Sequence, residues 1–263
     1  MATIPCFHVD AFTHRAFAGN PAVVCLLDAS RPAKWMQSIA AEMNLSETAF
    51  VVPLKAGFRL RWFTPTVEVD LCGHATLAAA HVLWSEKIIP KASGLQFQTK
   101  SGLLTARRQK DRLELDFPSR LAQKSRVVPG LERALGVKPR AVVKVADDLL
   151  VEVASESVVR KLKPDLALLS KIKVRGTIVT AKAKAKYDFV SRFFAPRVGV
   201  PEDPVTGSAH CGLAPYWADK LGRTKMRGYQ ASERGGEVEV EVVDDRVLLR
   251  GRAVTVVRGQ LVC

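Results

Sequence analysis

The sequence predicts an α+β fold built from two similar lobes, each a curved β-sheet around a central helix. Three observations predict it. The chain repeats itself: Arg61-Trp-Phe-Thr-Pro65…Cys72-Gly-His-Ala75 returns as Arg192-Phe-Phe-Ala-Pro196…Thr206-Gly-Ser-Ala209. Each copy is an aromatic strand ending at a proline, a short acidic loop, a glycine turn and a mostly apolar helix, and such self-similarity marks duplicated structural units. The helix opening at Gly73, GHATLAAAHVLWSEK, is apolar around most of its circumference, which is the pattern of a buried helix. The segments flanking it are short and β-rich, as a sheet wrapped around that helix requires.

In chain order, the first lobe reads as strands at 7–10, 22–27, 48–52 and 58–63, the central helix from Gly73 to about Lys87, and strands at 95–99, 103–107 and 113–117. An amphipathic helix over 32–43 is inserted, with Ser30 as its N-cap and a proline near its first position. The charged stretch 118–124 reads as a linker, so the lobes are expected at 1–118 and 119–263. Strands at 141–144, 149–153, 177–180, 187–194, 237–243 and 246–250 then surround a second helix over 207–221. Pro215 conflicts with that helix, costing ~3 kcal/mol in an interior unless the helix kinks. The last strand, 253–262, is free to cross back to the first lobe. In both copies an acidic residue stands five positions before the glycine, Glu68 in the first and Glu202 in the second.

The chain carries 40 Lys and Arg against 26 Asp and Glu, a net charge of +14, and a field of that sign attracts anions. Much of the charge is concentrated in 124–144 and 160–186. Within the latter, Lys182-Ala-Lys-Ala-Lys186 alternates as an edge or hairpin strand with its lysines in water would, a pattern that blocks edge-to-edge aggregation. There is no helix-turn-helix or RNA-binding signature and no interleaving of aromatics, so no nucleic-acid partner is expected. No apolar run approaches the roughly 18 residues of a membrane span, and the start, MATIPCFHVDAF, lacks the pattern of a secretory signal. Five cysteines (Cys6, Cys25, Cys72, Cys211, Cys263) without a C-x-x-C pair argue against a disulfide framework or structural zinc. The expectation is a reduced, cytoplasmic protein with no membrane partner.

A glycine turn opening a helix presents unpaired N–H groups and the positive end of the helix dipole, a ready anion site. If the two lobes face each other, Gly73-His74 and Gly207-Ser208 converge on one cleft suited to a carboxylate. The same turns are also compatible with plain packing. Glu47, in Asn44-Leu-Ser-Glu-Thr48, reads on local sequence as a capping or surface carboxylate, and Asp203 before Pro204 as turn chemistry. His81 shares a helix face with His74, yet no third ligand stands at metal spacing. Cys72, beside a helix start, has the setting of a racemase thiol, although its counterpart is Thr206 and a two-base thiol racemase needs a second thiol there.

Four stretches carry a resemblance: Ala11-Phe-Thr-His-Arg-Ala-Phe-Ala-Gly-Asn-Pro21, Asn44-Leu-Ser-Glu-Thr48, Phe63-Thr-Pro…Cys72-Gly-His-Ala-Thr76 and Glu202-Asp-Pro-Val-Thr-Gly-Ser-Ala-His210. Together, and in this order, they resemble the PhzF (phenazine biosynthesis-like) family, whose fold is diaminopimelate epimerase-like. The resemblance implies two lobes, each a β-barrel around a central helix, with the active site in the cleft between them. It implies an isomerase that needs no cofactor and acts on a small carboxylate-bearing metabolite, and a homodimer. Carried over by motif, Glu47 is the residue that moves a proton, assisted by His74, Asp203 and Ser208, while Asn20, Gly73 and Gly207 bind substrate. Two other readings stand beside it: an amino-acid racemase or epimerase using Cys72, and a non-catalytic binding or scaffold protein.

Overall fold

A helix that is apolar on nearly every side must be enclosed, and this chain encloses two such helices, each with its own strands. The computed structural model describes residues 3–90, 94–125 and 128–262; Cys263, and Arg126 of the basic stretch, lie outside the described residues. Its contacts divide the chain into two compact units. Unit 1 takes the chain up to Phe117 and again from Arg250 onward, and unit 2 takes Pro118–Leu249. The tail from Arg250 therefore groups with unit 1 and not with the expected 119–263 lobe.

In unit 1, β1 (Ile4–Ala11) and β2 (Asn20–Leu26) are antiparallel. Helix α1 (Ala33–Met43) carries the chain across so that β3 (Glu47–Pro53) runs parallel to β2. Next, β4 (Phe58–Phe63) returns antiparallel to β3. Its far edge is shared by β5 (Glu68–Val69) at the Trp62–Phe63 end and by β6 (Leu95–Thr99), parallel, at the Phe58–Arg59 end. Between β5 and β6 lies α2 (Gly73–Ser85), buried from Gly73 to Ala80 and packed on β1, β2 and β3. A meander of β7 (Gly102–Gln109) and β8 (Arg112–Pro118) follows. Strand β2 is buried on both faces, because Val23 and Cys25 join Met36, Ile39 and Ala40 of α1 in an outer core while Ala22 and Val24, also buried, point the other way. Double burial explains its unbroken apolar run.

Unit 2 repeats the plan. After β9 (Gln123–Lys124) and α3 (Leu131–Leu135), β10 (Ala141–Val145) and β11 (Asp148–Glu152) are antiparallel. Two short helices, α4 (Glu156–Lys161) and α5 (Leu166–Ser170), take the place of α1, and β12 (Gly176–Lys182) is parallel to β11. Then β13 (Phe189–Ala195) pairs antiparallel with β12 and shares its far edge between β14 (Val200–Asp203) and the parallel β15 (Lys225–Gln230). Helix α6 (Gly207–Leu221) stands between those two, and β16 (Gly236–Val243) and β17 (Arg246–Gly251) follow. The final strand, β18 (Ala253–Leu261), lies antiparallel to β1 along its length, with an irregularity at His8/Val9.

The duplication extends to side chains. Arg61 forks both oxygens of Glu68 at 2.7 and 2.9 Å and lies over Phe63, and Arg192 forks Glu202 at 2.7 and 2.7 Å and lies over Phe194. Thr48 pairs with Phe63 as Thr177 pairs with Phe194. The same register makes Gly176 the counterpart of Glu47.

Four expectations are corrected. Helix α1 starts at Pro32 without a side-chain cap, and Ser30 instead accepts from Arg59 Nη1 at 3.2 Å. Only Lys182 of the alternating lysines is in a strand: 183–186 form the turn between β12 and β13, where Ala185 takes φ 62° and Lys184 N–H is held by Glu156. The stretch 118–124 is not a free linker, since Ser119 N–H bonds Asp245 O and Arg120 N–H bonds Cys211 O at 3.0 Å. That second bond also answers the conflict at Pro215, which sits inside an unbroken α6. A proline at 215 has no N–H for the Cys211 carbonyl four residues back, and Arg120 supplies one. Among the described residues no helix is long and apolar enough to cross a membrane.

Candidate active site

Three motifs far apart in sequence meet because of where they start. Asn20 opens β2, Glu47 opens the parallel β3, and Gly73-His74 open α2, which packs on both strands. The turn into β2 needs Gly19, whose φ of +68° and closeness to the Ala11 carbonyl exclude any Cβ.

His74 is buried at the centre. Its Nδ1 lies 3.1 Å from Asn20 Nδ2, and its Nε2 lies 3.2 Å from Glu47 Oε2. An amide nitrogen can only donate, so Nδ1 accepts and the ring proton resides on Nε2, facing the Glu47 carboxylate. The approach is close, but its angle falls short of a hydrogen bond. Burial pushes the His74 pKa down to about 3, with the Pro21 carbonyl pulling the other way. His74 is therefore neutral at neutral pH, and the contact is imidazole to carboxylate rather than an ion pair.

Cys72 Sγ lies 3.5 Å from His74 Nδ1. Glu47, Cys72 and His74 offer donor atoms within 4.8 Å of one another, near enough for one metal ion. However, Cys72 and Glu47 approach opposite ring nitrogens, and Asn20 already uses the lone pair of Nδ1. The geometry suits a positioned acid–base group better than a ligand set.

Unit 2 holds the second cluster. Asp203 ends β14 and accepts from Thr206 Oγ1 at 2.5 Å. Gln230, fully buried at the end of β15, accepts from Thr206 N–H at 2.9 Å and donates to the Asp203 carbonyl at 2.7 Å, so it fixes the loop that presents Gly207 and Ser208. Ser208 Oγ accepts from Arg175 Nη2 at 3.3 Å, and Arg175 in turn forks the buried Asp148. Burial raises the Asp148 carboxyl and the Arg175 guanidinium opposes it. One turn along α6, buried His210 donates from Nδ1 to the Thr206 carbonyl at 2.8 Å, and burial lowers its pKa to about 4.

Both helix starts share one feature. Cys72 and Thr206 are extended N-caps whose side chains make no capping bond, and the Thr206 hydroxyl is spent on Asp203. The first-turn N–H groups of α2 and α6 thus lack the usual side-chain acceptor and keep the positive end of the dipole for an anion.

Of the residues singled out in the sequence, Asn20, Glu47, Gly73, His74 and Cys72 come together in unit 1, and Asp203, Gly207 and Ser208 in unit 2. His81 is turned away to Thr255 Oγ1 of β18 at 3.0 Å. Gln230, Arg175 and Asp148 went unnoticed in sequence. The first lies on β15, a strand that the pattern reading missed, and the other two lie outside the repeated motifs.

A family model described as Phenazine biosynthesis-like protein, PhzC-PhzF, matches residues 9–259. The chain belongs to this family. An uncharacterized isomerase of Halalkalibacterium halodurans is 52% identical to it, with 99% of each chain covered. A crystal structure of a PhzF family protein from Enterococcus faecalis matches at 41% identity with a TM-score of 0.95, covering 100% of both chains. A probable proline racemase from Agrobacterium radiobacter, at 12% identity and a TM-score of 0.70, covers 98% of this chain and 92% of its own and shares the fold alone. This PhzF-family chain has the duplicated two-lobe α+β fold that its motifs imply, and by its kinship with named isomerases it is an isomerase.

Proposed function

We propose that this PhzF-family protein is a cofactor-independent isomerase that shifts a proton on a small carboxylate-bearing metabolite, with Glu47 as general acid and base. The observation that carries the reading is the buried chain Asn20–His74–Glu47. Asn20 fixes the tautomer, His74 stays neutral, and its Nε2–H faces the one carboxylate of the cluster. Glu47 takes a C–H proton from the substrate and returns it to another carbon of the same molecule, so no net proton is consumed. His74 orients that carboxylate and donates toward it when it is charged. In unit 1, Gly73 as first residue of α2 offers its N–H to the negative charge that builds as the proton leaves, and in unit 2, Gly207 as first residue of α6 offers its own to a carboxylate. Within unit 2, Asp203 and Ser208 are the substrate-positioning groups at the start of α6. The protein works in the cytoplasm as a homodimer, and light scattering returning the mass of a single chain would count against that assembly.

A racemase using Cys72 is the second reading, favoured by the thiol's position 3.5 Å from His74 Nδ1. Thr206 at the matching place in α6 weakens it, since two-base racemisation needs a second base of that kind. Deuterium uptake from D2O into a panel of carboxylate metabolites, read by mass spectrometry, tests the proposal. Uptake at carbon that survives in wild type and disappears in Glu47→Gln supports it. Equal uptake by both proteins refutes it.

A further inference from the structure

We propose that Arg175 is a specificity-determining residue that binds the substrate's carboxylate, with Asp148 as its positioning partner; this rests on the isomerase reading above. In unit 1 the first residue of β3, Glu47, stands beside the start of α2. Its register counterpart in unit 2 is Gly176, since Ala22 pairs with Glu47 and Asp148 with Gly176. A Cβ at 176 would overlap the Phe193 ring, so an acidic side chain is excluded there. The guanidinium of the preceding residue, Arg175, rests over that same ring at 5.4 Å from its centroid. The equivalent place beside a helix start is thus filled by an acid in one unit and a base in the other.

The base is held in one orientation. Arg175 Nε donates to Asp148 Oδ1 at 2.9 Å, and Nη2 donates to Asp148 Oδ2 and to Ser208 Oγ at 3.3 Å. Nη1 has no hydrogen bond to any described residue, and the Arg175 side chain is 37% exposed whereas that of Asp148 is 1% exposed. A carboxylate buried to that degree is costly unless it is well paired, and the two-point pair that offsets the cost also fixes the plane of the guanidinium. The open edge of that fork lies next to the Ser208 hydroxyl and the start of α6, whose N–H groups lack a side-chain cap. Arginine suits this place better than lysine because Nε and Nη2 hold Asp148 in a fixed plane while Nη1 keeps its N–H groups for a carboxylate, a division that a single ammonium cannot make.

The test is calorimetric titration with pyrrole-2-carboxylate, a planar stand-in for a substrate that has lost its C–H proton, against pyrrole-2-carboxamide of the same shape. Wild type is expected to bind the acid at least tenfold more tightly than the amide. Arg175→Met should erase that preference and leave amide binding within twofold, and Arg175→Lys should keep part of it. Should Arg175→Met fail to fold with Asp148 left unpaired, Arg175→Met/Asp148→Asn replaces it. Failure of wild type to prefer the acid, an unchanged preference in the Met variant, or equal loss of acid and amide binding each overturns the proposal. Glu47→Gln separates the two claims. If it abolishes no exchange while Arg175-dependent acid binding persists, the proton-shift reading falls and the carboxylate site stands. If exchange depends on Glu47 while acid binding ignores Arg175, the reverse holds.

Discussion

Acid should unfold this protein through its buried histidines. Burial lowers the pKa of His74 from 6.5 to about 3, and those of His81 and His210 from 6.5 to about 4. In each case the folded state resists protonation that the unfolded chain accepts, so the unfolded state binds more protons between the two values and stability rises with pH there. The stabilisation is complete above 6.5 and is lost as pH falls from 6.5 toward 4. At pH 5 each histidine costs about 2 kcal/mol and the three together about 6 kcal/mol relative to pH 7.5, which is comparable to the whole stability of a typical domain. Asp148, whose carboxyl burial raises, acts in the opposite sense. Urea denaturation at constant ionic strength, followed by fluorescence of buried Trp62, Trp84 and Trp217, measures it. His210→Gln should recover about a third of the pH dependence. A stability difference below about 2 kcal/mol between pH 7.5 and 5, or an unchanged slope in His210→Gln, refutes the reasoning.

Three further outcomes follow from the packing. Gly212→Ala should destabilise by about 1–3 kcal/mol in thermal melts although alanine is the better helix former, because its Cβ would overlap Val145. Asn20→Ala leaves Nδ1 of buried His74 with only the weak Cys72 thiol for a donor and should cost about 1–3 kcal/mol, with activity falling further than stability. Pro215→Ala should change stability by less than about 1 kcal/mol rather than gain the ~3 kcal/mol expected of a helix interior, because Arg120 N–H already satisfies the Cys211 carbonyl.

What could be read in the sequence divides along a physical line. The two-lobe plan was legible because a helix as uniformly apolar as α2 has nowhere to go but inside a sheet, and because the Arg–aromatic–Pro and Gly-turn pattern occurs twice. Glu47, His74 and Asn20 were legible as motif residues, but their contact was not, since it depends on two parallel strands starting at the same level beside a helix end. Arg175 and Asp148 were hidden because their meaning comes from register: only once Gly176 is seen opposite Asp148 does the unit 2 counterpart of Glu47 appear. Strand β15, KMRGYQ, carries charge at alternate positions and a glycine, and it shows no strand signal of its own until β13 and β16 pair with it. Pro215 pointed to a kink because local rules do not include an N–H arriving from residue 120.

Whether Glu47 carries the proton is tested most directly by comparing Glu47→Gln with Cys72→Ser for deuterium uptake into the same carboxylate panel. Cys72→Ser should exchange close to the wild-type rate while Glu47→Gln loses about a hundredfold or more, the scale of general acid–base catalysis. Loss of exchange in Cys72→Ser with exchange retained in Glu47→Gln contradicts it and makes the thiol the base.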